Sequence, residues 1–231
     1  MATLDYEPSR RPGSPGIGQL RMLSATTWLI IINVAVFLLD RVLVGLKYYY
    51  PENVGNYIIA YPPLEGLGHF SLYLAVWKLE IWRFITFQFL HAGLTHIAFN
   101  MIALYFFGPL VENYLGLRRY LAFYLLCGIG GPIAYMILWA TKFLIVSPIV
   151  PLVGASAGIF GVLIAAAQIA PTATVLIYGI LPMQLRTLAW VLLGIAVYTV
   201  LVYGNSRTGN AGGEAAHLGG AAVGFILMRN I

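Results

Sequence analysis

Six apolar runs constrain the possible folds of this chain more than any other feature. They cover residues 25–46, 94–114, 119–141, 156–170, 185–203 and 212–228. Most of them approach the roughly 20 residues that a helix needs to cross the hydrocarbon core of a bilayer. Hydrophobic residues make up 60% of the chain and charged residues 9%, whereas soluble domains carry about 25% charged residues. The pattern predicts an all-α integral membrane protein with a bundle of six transmembrane helices.

The basic residues indicate an orientation in the membrane. Residues 1–24 are polar and interrupted by prolines, and we expect a short cytoplasmic tail that precedes a membrane domain over residues 25–231. Basic residues favour the cytoplasmic side, and six spans give that side a modest excess. The basic residues on the predicted cytoplasmic side are Arg10, Arg11, Arg21, Arg118, Arg119, Arg186 and Arg229. We therefore expect both termini in the cytoplasm, the plasma or inner membrane as the location, and no nucleic-acid partner.

Two connections between the runs differ from plain polar loops. Residues 47–93 are rich in Tyr, Trp and Phe, a composition typical of membrane interfaces. We expect this long connection to form short amphipathic helices in the outer interface. Within it, the segment Glu80–Arg83 is interpreted as a structural anchor rather than a catalytic group. Residues 173–183 are apolar but too short to span the membrane, and we expect an irregular cytoplasmic connection there.

The fourth run is the shortest, and it begins with a serine framed by small residues. Ser156 lies in the segment GASAG, residues 154–158. A helix from Ser156 to Ala170 would be about 22 Å long, against about 30 Å for the hydrocarbon core, so we expect its serine end to lie inside the membrane. A hydroxyl in that position is a functional candidate. The structural alternative is a small-residue packing surface between helices.

His217 lies in the sixth run at a depth similar to that of Ser156. It shares one helix face with three small residues at the spacing i, i+3, i+4 and i+7, namely Gly220, Ala221 and Gly224. Such a face lets a neighbouring helix approach closely. If that neighbour is the fourth helix, His217 can take the proton that activates Ser156 as a nucleophile. The alternative is a buried histidine that is satisfied by a backbone carbonyl.

The second run carries His96 and Asn100 at i and i+4, with His91 five residues before His96. Side-chain donors of these types can stabilise an oxyanion. The alternative is a polar contact between helices, worth about 1 kcal/mol. The two histidines lack the spacing of a zinc helix and have no nearby carboxylate, so no metal site is expected. The single cysteine, Cys127, excludes an internal disulfide.

Taken together, these elements resemble the rhomboid family of intramembrane serine proteases. The resemblance covers about residues 25–228 and rests on four motifs in the expected order. They are Trp82-Arg83, the stretch HAGLTHIAFN with His91, His96 and Asn100, GASAG with Ser156, and AHLGG with His217. Each motif alone is short. Their order, their spacing and their placement on the second, fourth and sixth runs make the resemblance specific.

The resemblance implies a catalytic dyad without an aspartate, in which Ser156 is the nucleophile and His217 is the general base and then the general acid. It also implies an oxyanion site made of His96, Asn100 and the backbone N–H of Ser156. The supporting residues that it implies are His91, Gly154, Phe160, Gly220 and Gly224. Phe160 stands where many members have Tyr, and we expect its ring to pack on the imidazole. Ala157 stands where many members have Gly.

The activity implied by this resemblance is a serine endopeptidase that cleaves transmembrane segments of membrane proteins, within the lipid bilayer and with no metal or organic cofactor. Two alternatives come from other classes of protein. One is a non-catalytic rhomboid-like scaffold that binds transmembrane helices. The other is a transporter or channel that uses the buried polar residues as a pathway.

Overall fold

The computed structural model describes residues 23–54, 57–177, 180–206 and 210–231. Arg207 and most of the predicted polar tail, residues 1–22 with its three arginines, lie outside these described residues. The α-helices are α1 Ala25–Gly45, α2 Pro63–Gly68, α3 Arg83–Thr86, α4 Leu94–Leu115, α5 Leu117–Ala140, α6 Ser156–Ile169, α7 Leu185–Tyr203 and α8 Ala211–Arg229. The strands are β1 Tyr50–Val54, β2 Tyr57–Tyr61, β3 Thr174–Ile177 and β4 Leu181–Gln184. Six of the helices match the six predicted runs to within two residues at each end.

Among the described residues, four helices are long and apolar enough to cross a membrane, namely α1, α4, α5 and α7. The fourth predicted run forms α6, which has 14 residues and is therefore about 21 Å long. The sixth predicted run forms α8, which has 19 residues and includes Glu214 and His217. The chain is thus a mostly helical membrane protein, and the count of six spans stays a prediction.

The short helix α6 lies at the centre of the bundle, where it packs against α4, α5 and α8. Its side chains are almost all small or aliphatic, and Val162, Ala165 and Ala166 are completely buried. The contact with α8 is made backbone to backbone. A Cβ added at Gly220 would overlap the carbonyl oxygen of Ala157, and one added at Gly224 would lie 2.7 Å from the Cα of Gly161. The absence of side chains at these positions therefore sets how closely α6 and α8 approach.

A buried carboxylate joins the start of α1 to α4. Glu112 accepts hydrogen bonds from the backbone N–H groups of Ala25 and Thr26, at 2.6 and 2.9 Å, and from the Thr26 hydroxyl at 2.7 Å. The first N–H groups of a helix have no partner within the helix, and the helix dipole favours an anion there. Glu112 thus provides hydrogen-bond acceptors for the first N–H groups of α1, although it belongs to α4, which follows much later in the chain.

The connection between α1 and α4 contains a β-hairpin, which corrects the expectation of short amphipathic helices alone. Strands β1 and β2 pair antiparallel, with Tyr50 opposite Tyr61. Tyr and Ile make up four of the five residues of β2, and these residues suit a pleated surface better than a helix. After the hairpin the chain forms α2, a π-helix over Leu72–Trp77, α3 and a 3-10 turn over Phe87–Phe89.

Arg83 holds this connection together. Its side chain is 1% exposed, and it donates to Glu80 Oε2 at 2.6 Å and to the carbonyl oxygens of His69 and Gly66 at 2.7 and 2.9 Å. The neighbouring Trp82 donates from its indole nitrogen to the carbonyl oxygen of Leu67 at 3.2 Å. These bonds agree with the interpretation of this segment as a structural anchor.

The described part of the second apolar connection also forms a hairpin, and the expectation of an irregular segment was wrong. Strands β3 and β4 pair antiparallel between α6 and α7, with Thr174 opposite Gln184. The β-branched residues Thr174, Val175 and Ile177 favour extended backbone, which explains the hairpin. The backbone N–H groups of Leu185 and Arg186 then donate to Ala173 and Pro171, so the hairpin leads directly into α7.

Candidate functional site

Ser156 is the first residue of α6, and three backbone bonds position the loop before it. Leu152 and Phe70 exchange backbone hydrogen bonds at 2.7 and 3.0 Å, and Gly154 N donates to Phe87 O at 3.0 Å. Gly154 has φ of +134°, a backbone conformation that side chains disfavour. A Cβ at Gly154 would lie 2.9 Å from Nε2 of His96 and 3.5 Å from Oγ of Ser156. This glycine therefore leaves open the space between the hydroxyl and the His96 ring.

His217, on α8, lies within hydrogen-bond distance of Ser156. The distance between His217 Nε2 and Ser156 Oγ is 2.8 Å. The imidazole is fixed on one side by Phe160, whose ring is stacked on it with centroids 4.3 Å apart and planes 8° apart. Phe160 lies one helix turn after Ser156 on α6, so a single helix supplies both the hydroxyl and the aromatic contact.

The other ring nitrogen of His217 contacts a carboxylate that sequence analysis missed. Glu214 Oε2 lies 2.8 Å from His217 Nδ1. Glu214 and His217 are three residues apart at the start of α8 and therefore lie on the same side of that helix. This i, i+3 spacing was the available sequence signal. The structure thus contains a continuous series of contacts from carboxylate to imidazole to hydroxyl.

Ser156 and His217 border a cavity of about 560 Å³, which is also lined by His96 and Asn100 of α4. Asn100 is 7% exposed, and its Nδ2 has no hydrogen-bond partner among the described residues. A buried amide donor without a partner carries an energetic cost unless a ligand or water accepts from it. The cavity therefore offers polar donors next to the Ser156 hydroxyl.

His91 lies behind His96 rather than in the cavity wall. Its ring contacts the His96 ring edge to face, with centroids 5.1 Å apart. Burial, with a smaller contribution from His96, lowers the pKa of His91 to about 3. This ring is therefore neutral at physiological pH, and it supports His96 by packing. Within the described ranges no group of three or more His, Cys, Asp or Glu residues could hold a metal ion.

The comparison with known families identifies the chain. The Rhomboid domain model matches residues 78–230, about two thirds of the sequence. The chain belongs to the rhomboid family. This confirms the resemblance drawn from the four sequence motifs, and all the residues that line the cavity fall inside the matched region.

Several curated relatives of this rhomboid carry protease or rhomboid names. Rhomboid protease GluP of Bacillus subtilis is 35% identical over 148 residues, which is 64% of this chain and 25% of the relative. RHOMBOID-like protein 12, mitochondrial, of Arabidopsis thaliana is 32% identical over 157 residues, 64% of this chain and 45% of the relative. Rhomboid protein 1, mitochondrial, of Saccharomyces cerevisiae is 30% identical over 144 residues, 60% of this chain and 38% of the relative.

The alignments thus span less than half the length of each of these relatives. The family and the apolar helices establish an integral membrane protein of a protease family. Because relatives carry mitochondrial names as well as bacterial ones, the predicted plasma or inner membrane location stays a prediction. The predicted cytoplasmic location of both termini also stays a prediction.

Proposed function

We propose that this rhomboid is an intramembrane serine endopeptidase, with Ser156 as the nucleophile and His217 as the general base. The observation that carries the proposal is the 2.8 Å contact between His217 Nε2 and Ser156 Oγ at the border of a polar-lined cavity. A serine hydroxyl becomes an effective nucleophile when an adjacent base takes its proton, and this contact has the required length.

The first half of the reaction forms an acyl-enzyme. Ser156 Oγ attacks the carbonyl carbon of the scissile peptide bond while its proton passes to His217 Nε2. The carbonyl oxygen becomes an oxyanion, and the C–N bond then breaks as His217 returns the proton to the leaving amine. In the second half, water attacks the ester with His217 again as the base, which releases the carboxyl product and restores the hydroxyl.

The oxyanion formed in these steps needs donors that are already in place. Three groups line the same cavity as Ser156 Oγ and can serve: Nδ2 of Asn100, which has no partner among the described residues, the His96 ring, and the backbone N–H of Ser156 at the first position of α6. A first-turn N–H has no partner within its own helix and remains available. Preorganised donors of this kind stabilise negative charge in the transition state without reorganisation.

The proposed substrates are transmembrane segments of membrane proteins. A helical substrate hides its carbonyl groups in i to i−4 hydrogen bonds, so it must unwind locally before Ser156 can attack. Segments with Gly, Pro or other weak helix formers near the scissile bond should therefore be preferred, because their helices cost less to open. Lipid surrounds the enzyme, so the lipid bilayer is part of the reaction environment.

The decisive experiment is labelling of the purified protein with a serine-directed fluorophosphonate, together with mass spectrometry of the products from labelled single-span peptides. Ser156→Ala should remove both labelling and cleavage. Ser147→Ala, at an exposed loop serine, is the matched control and should retain both. Cleavage at the same bond by the Ser156→Ala protein would refute the mechanism. Binding of the peptides by a wild-type protein that neither reacts nor cuts would instead favour the scaffold.

A further inference from the structure

The Glu214 carboxylate has no role in a two-residue Ser–His mechanism, yet it contacts the catalytic candidate directly. Its Oε2 lies 2.8 Å from Nδ1 of His217, while Nε2 of the same ring lies 2.8 Å from Ser156 Oγ. We propose that Glu214 is a positioning residue that holds the proton of the neutral His217 ring on Nδ1 and stabilises the imidazolium formed during the reaction. The site is then a Ser–His–Glu triad. This inference rests on the proposed function.

The tautomer of His217 determines which ring nitrogen can act as the base. A neutral imidazole carries one proton, and the nitrogen without it is the acceptor. To take the proton of Ser156, His217 must have its lone pair on Nε2 and its proton on Nδ1. A carboxylate at Nδ1 only accepts, so it favours that tautomer and disfavours the reverse one. In serine proteases with a buried triad the aspartate has this same function.

The position of Glu214 at the start of α8 also suits a carboxylate. It lies in the first turn of α8, where Asn210 caps the helix by accepting from the backbone N–H of Gly213. The positive end of the helix dipole stabilises an anion there. The side chain of Glu214 is 19% exposed, so water reaches the carboxylate and reduces the desolvation penalty. The ion pair with a protonated His217 can therefore form without a fully buried charge.

The rest of the surroundings of His217 makes the orientation of the ring specific. From α6 it meets Ser156 and the stacked ring of Phe160, and from α4 the cavity brings His96 near it. Tyr135 of α5 packs against Gly212, on the preceding turn of α8. The ionisable side chains that the described part of α7 carries are Arg186, Tyr198 and Tyr203, and none makes a hydrogen bond or ring contact with His217.

Two of these contacts restrict the His217 ring in different ways. Phe160 sets the plane of the imidazole by stacking, but an aromatic face does not distinguish Nδ1 from Nε2. The Glu214 contact distinguishes them, because it accepts from one nitrogen only. Loss of Glu214 should therefore leave the ring stacked in place while changing which ring nitrogen carries the proton.

The test compares Glu214→Gln, Glu214→Ala and Glu214→Asp with the wild-type protein, and uses Glu65→Gln as the matched control. Glu65 lies in α2, away from the cavity. The Gln side chain can still accept from Nδ1 but is neutral, whereas Ala removes both properties. We expect kcat to fall on the order of 10- to 100-fold for Ala and less for Gln, with KM nearly unchanged. This is less than the about 10⁴-fold effect in a buried triad, because water can replace the partly exposed Glu214 carboxylate.

The division between kcat and KM separates positioning from a purely structural role. A positioning carboxylate acts mainly in the transition state, so its loss should lower kcat and leave KM nearly unchanged, whereas a distorted site would also raise KM. Glu214→Asp should retain part of the wild-type kcat, and Glu65→Gln all of it. A Glu214→Ala protein whose KM rises as much as its kcat falls would overturn the proposal.

NMR of protein with ¹⁵N-labelled histidine gives a readout that does not depend on cleavage. The four histidines are few enough to assign by substitution. The wild-type signal of His217 should show the proton on Nδ1, and Glu214→Ala should shift part of it to Nε2. If both hold while no peptide is cut, the positioning contact stands and the proposed peptidase function falls. If the proton occupies Nδ1 to the same extent in both proteins, the positioning proposal is refuted whatever the activity.

Discussion

The contact between α6 and α8 at Gly224 yields a prediction whose size follows from the structure. A Cβ at position 224 would lie 2.7 Å from the Cα of Gly161 and 2.8 Å from its carbonyl oxygen. Carbon atoms in van der Waals contact are at least about 3.5 Å apart. The substitution Gly224→Ala therefore requires α8 to move away from α6 by about 0.8 Å.

That displacement is enough to break the proposed catalytic contact, which crosses the same helix pair. The Ser156 Oγ to His217 Nε2 distance is 2.8 Å, and a shift of about 0.8 Å would lengthen it to about 3.6 Å, beyond hydrogen-bond range. Overpacking of this kind also costs about 1–3 kcal/mol of folding free energy. We therefore expect Gly224→Ala to lose most fluorophosphonate labelling and to unfold at a lower temperature than the wild type.

The matched control is Gly194→Ala in α7, where a Cβ would meet no atom within 4 Å. Alanine is the better helix former by about 1 kcal/mol, so this variant should be neutral or slightly more stable, with normal labelling. The assay is the rate of labelling in detergent, measured beside thermal unfolding of the same samples. A Gly224→Ala protein that labels and unfolds like the wild type would refute the idea that these glycines set the site geometry.

Three further predictions follow from single side chains. Asn100→Ala should lower kcat on the order of 10²–10³-fold with little change in KM, because an oxyanion donor acts in the transition state. Glu112→Ala should lower the free energy of unfolding by about 1–3 kcal/mol, measured by denaturant titration in mixed micelles, because it leaves buried N–H groups of α1 unsatisfied. Stability should also fall as the pH drops below about 6.5, since burial lowers the pKa of His69 to about 4 and of His91 to about 3, so the unfolded chain binds protons first.

Each of these predictions has an outcome that contradicts it. A change in KM alone for Asn100→Ala would make the amide a substrate contact. An unchanged unfolding midpoint for Glu112→Ala would mean that water replaces the cap. A His69→Gln variant should flatten the loss of stability toward pH 4, and a slope identical to that of the wild type would assign the effect to other groups.

The helices could be predicted from the sequence because apolar runs with proline and glycine at their ends leave few alternatives in a membrane. Ser156 and His217 could be predicted as candidate site residues from the same runs, since a hydroxyl and an imidazole at similar depth in apolar helices are rare and energetically costly. The spacing of Gly220 and Gly224 predicted that a neighbouring helix approaches α8 closely, and the structure identifies that helix as α6. All of these predictions depend on residues that are close together in the sequence, so they can be made without a structure.

The two hairpins and the role of Glu214 were not predicted, for different physical reasons. Tyr and Ile suit both a membrane interface and a β-strand, so the composition of residues 47–93 did not separate a helix from a hairpin. An acidic residue in the first turn of a helix is already explained by the helix dipole. Glu214 therefore gave no reason to look for a second partner until the distance to His217 was known.

The bond between Glu112 and the start of α1 has a consequence for biosynthesis. The acceptor lies 87 residues after Ala25, so it leaves the ribosome long after α1 has been made. Until α4 arrives, the first N–H groups of α1 must be satisfied by water or lipid headgroups at the membrane surface. The position of α1 is then provisional, because its final place depends on a helix that is synthesised later.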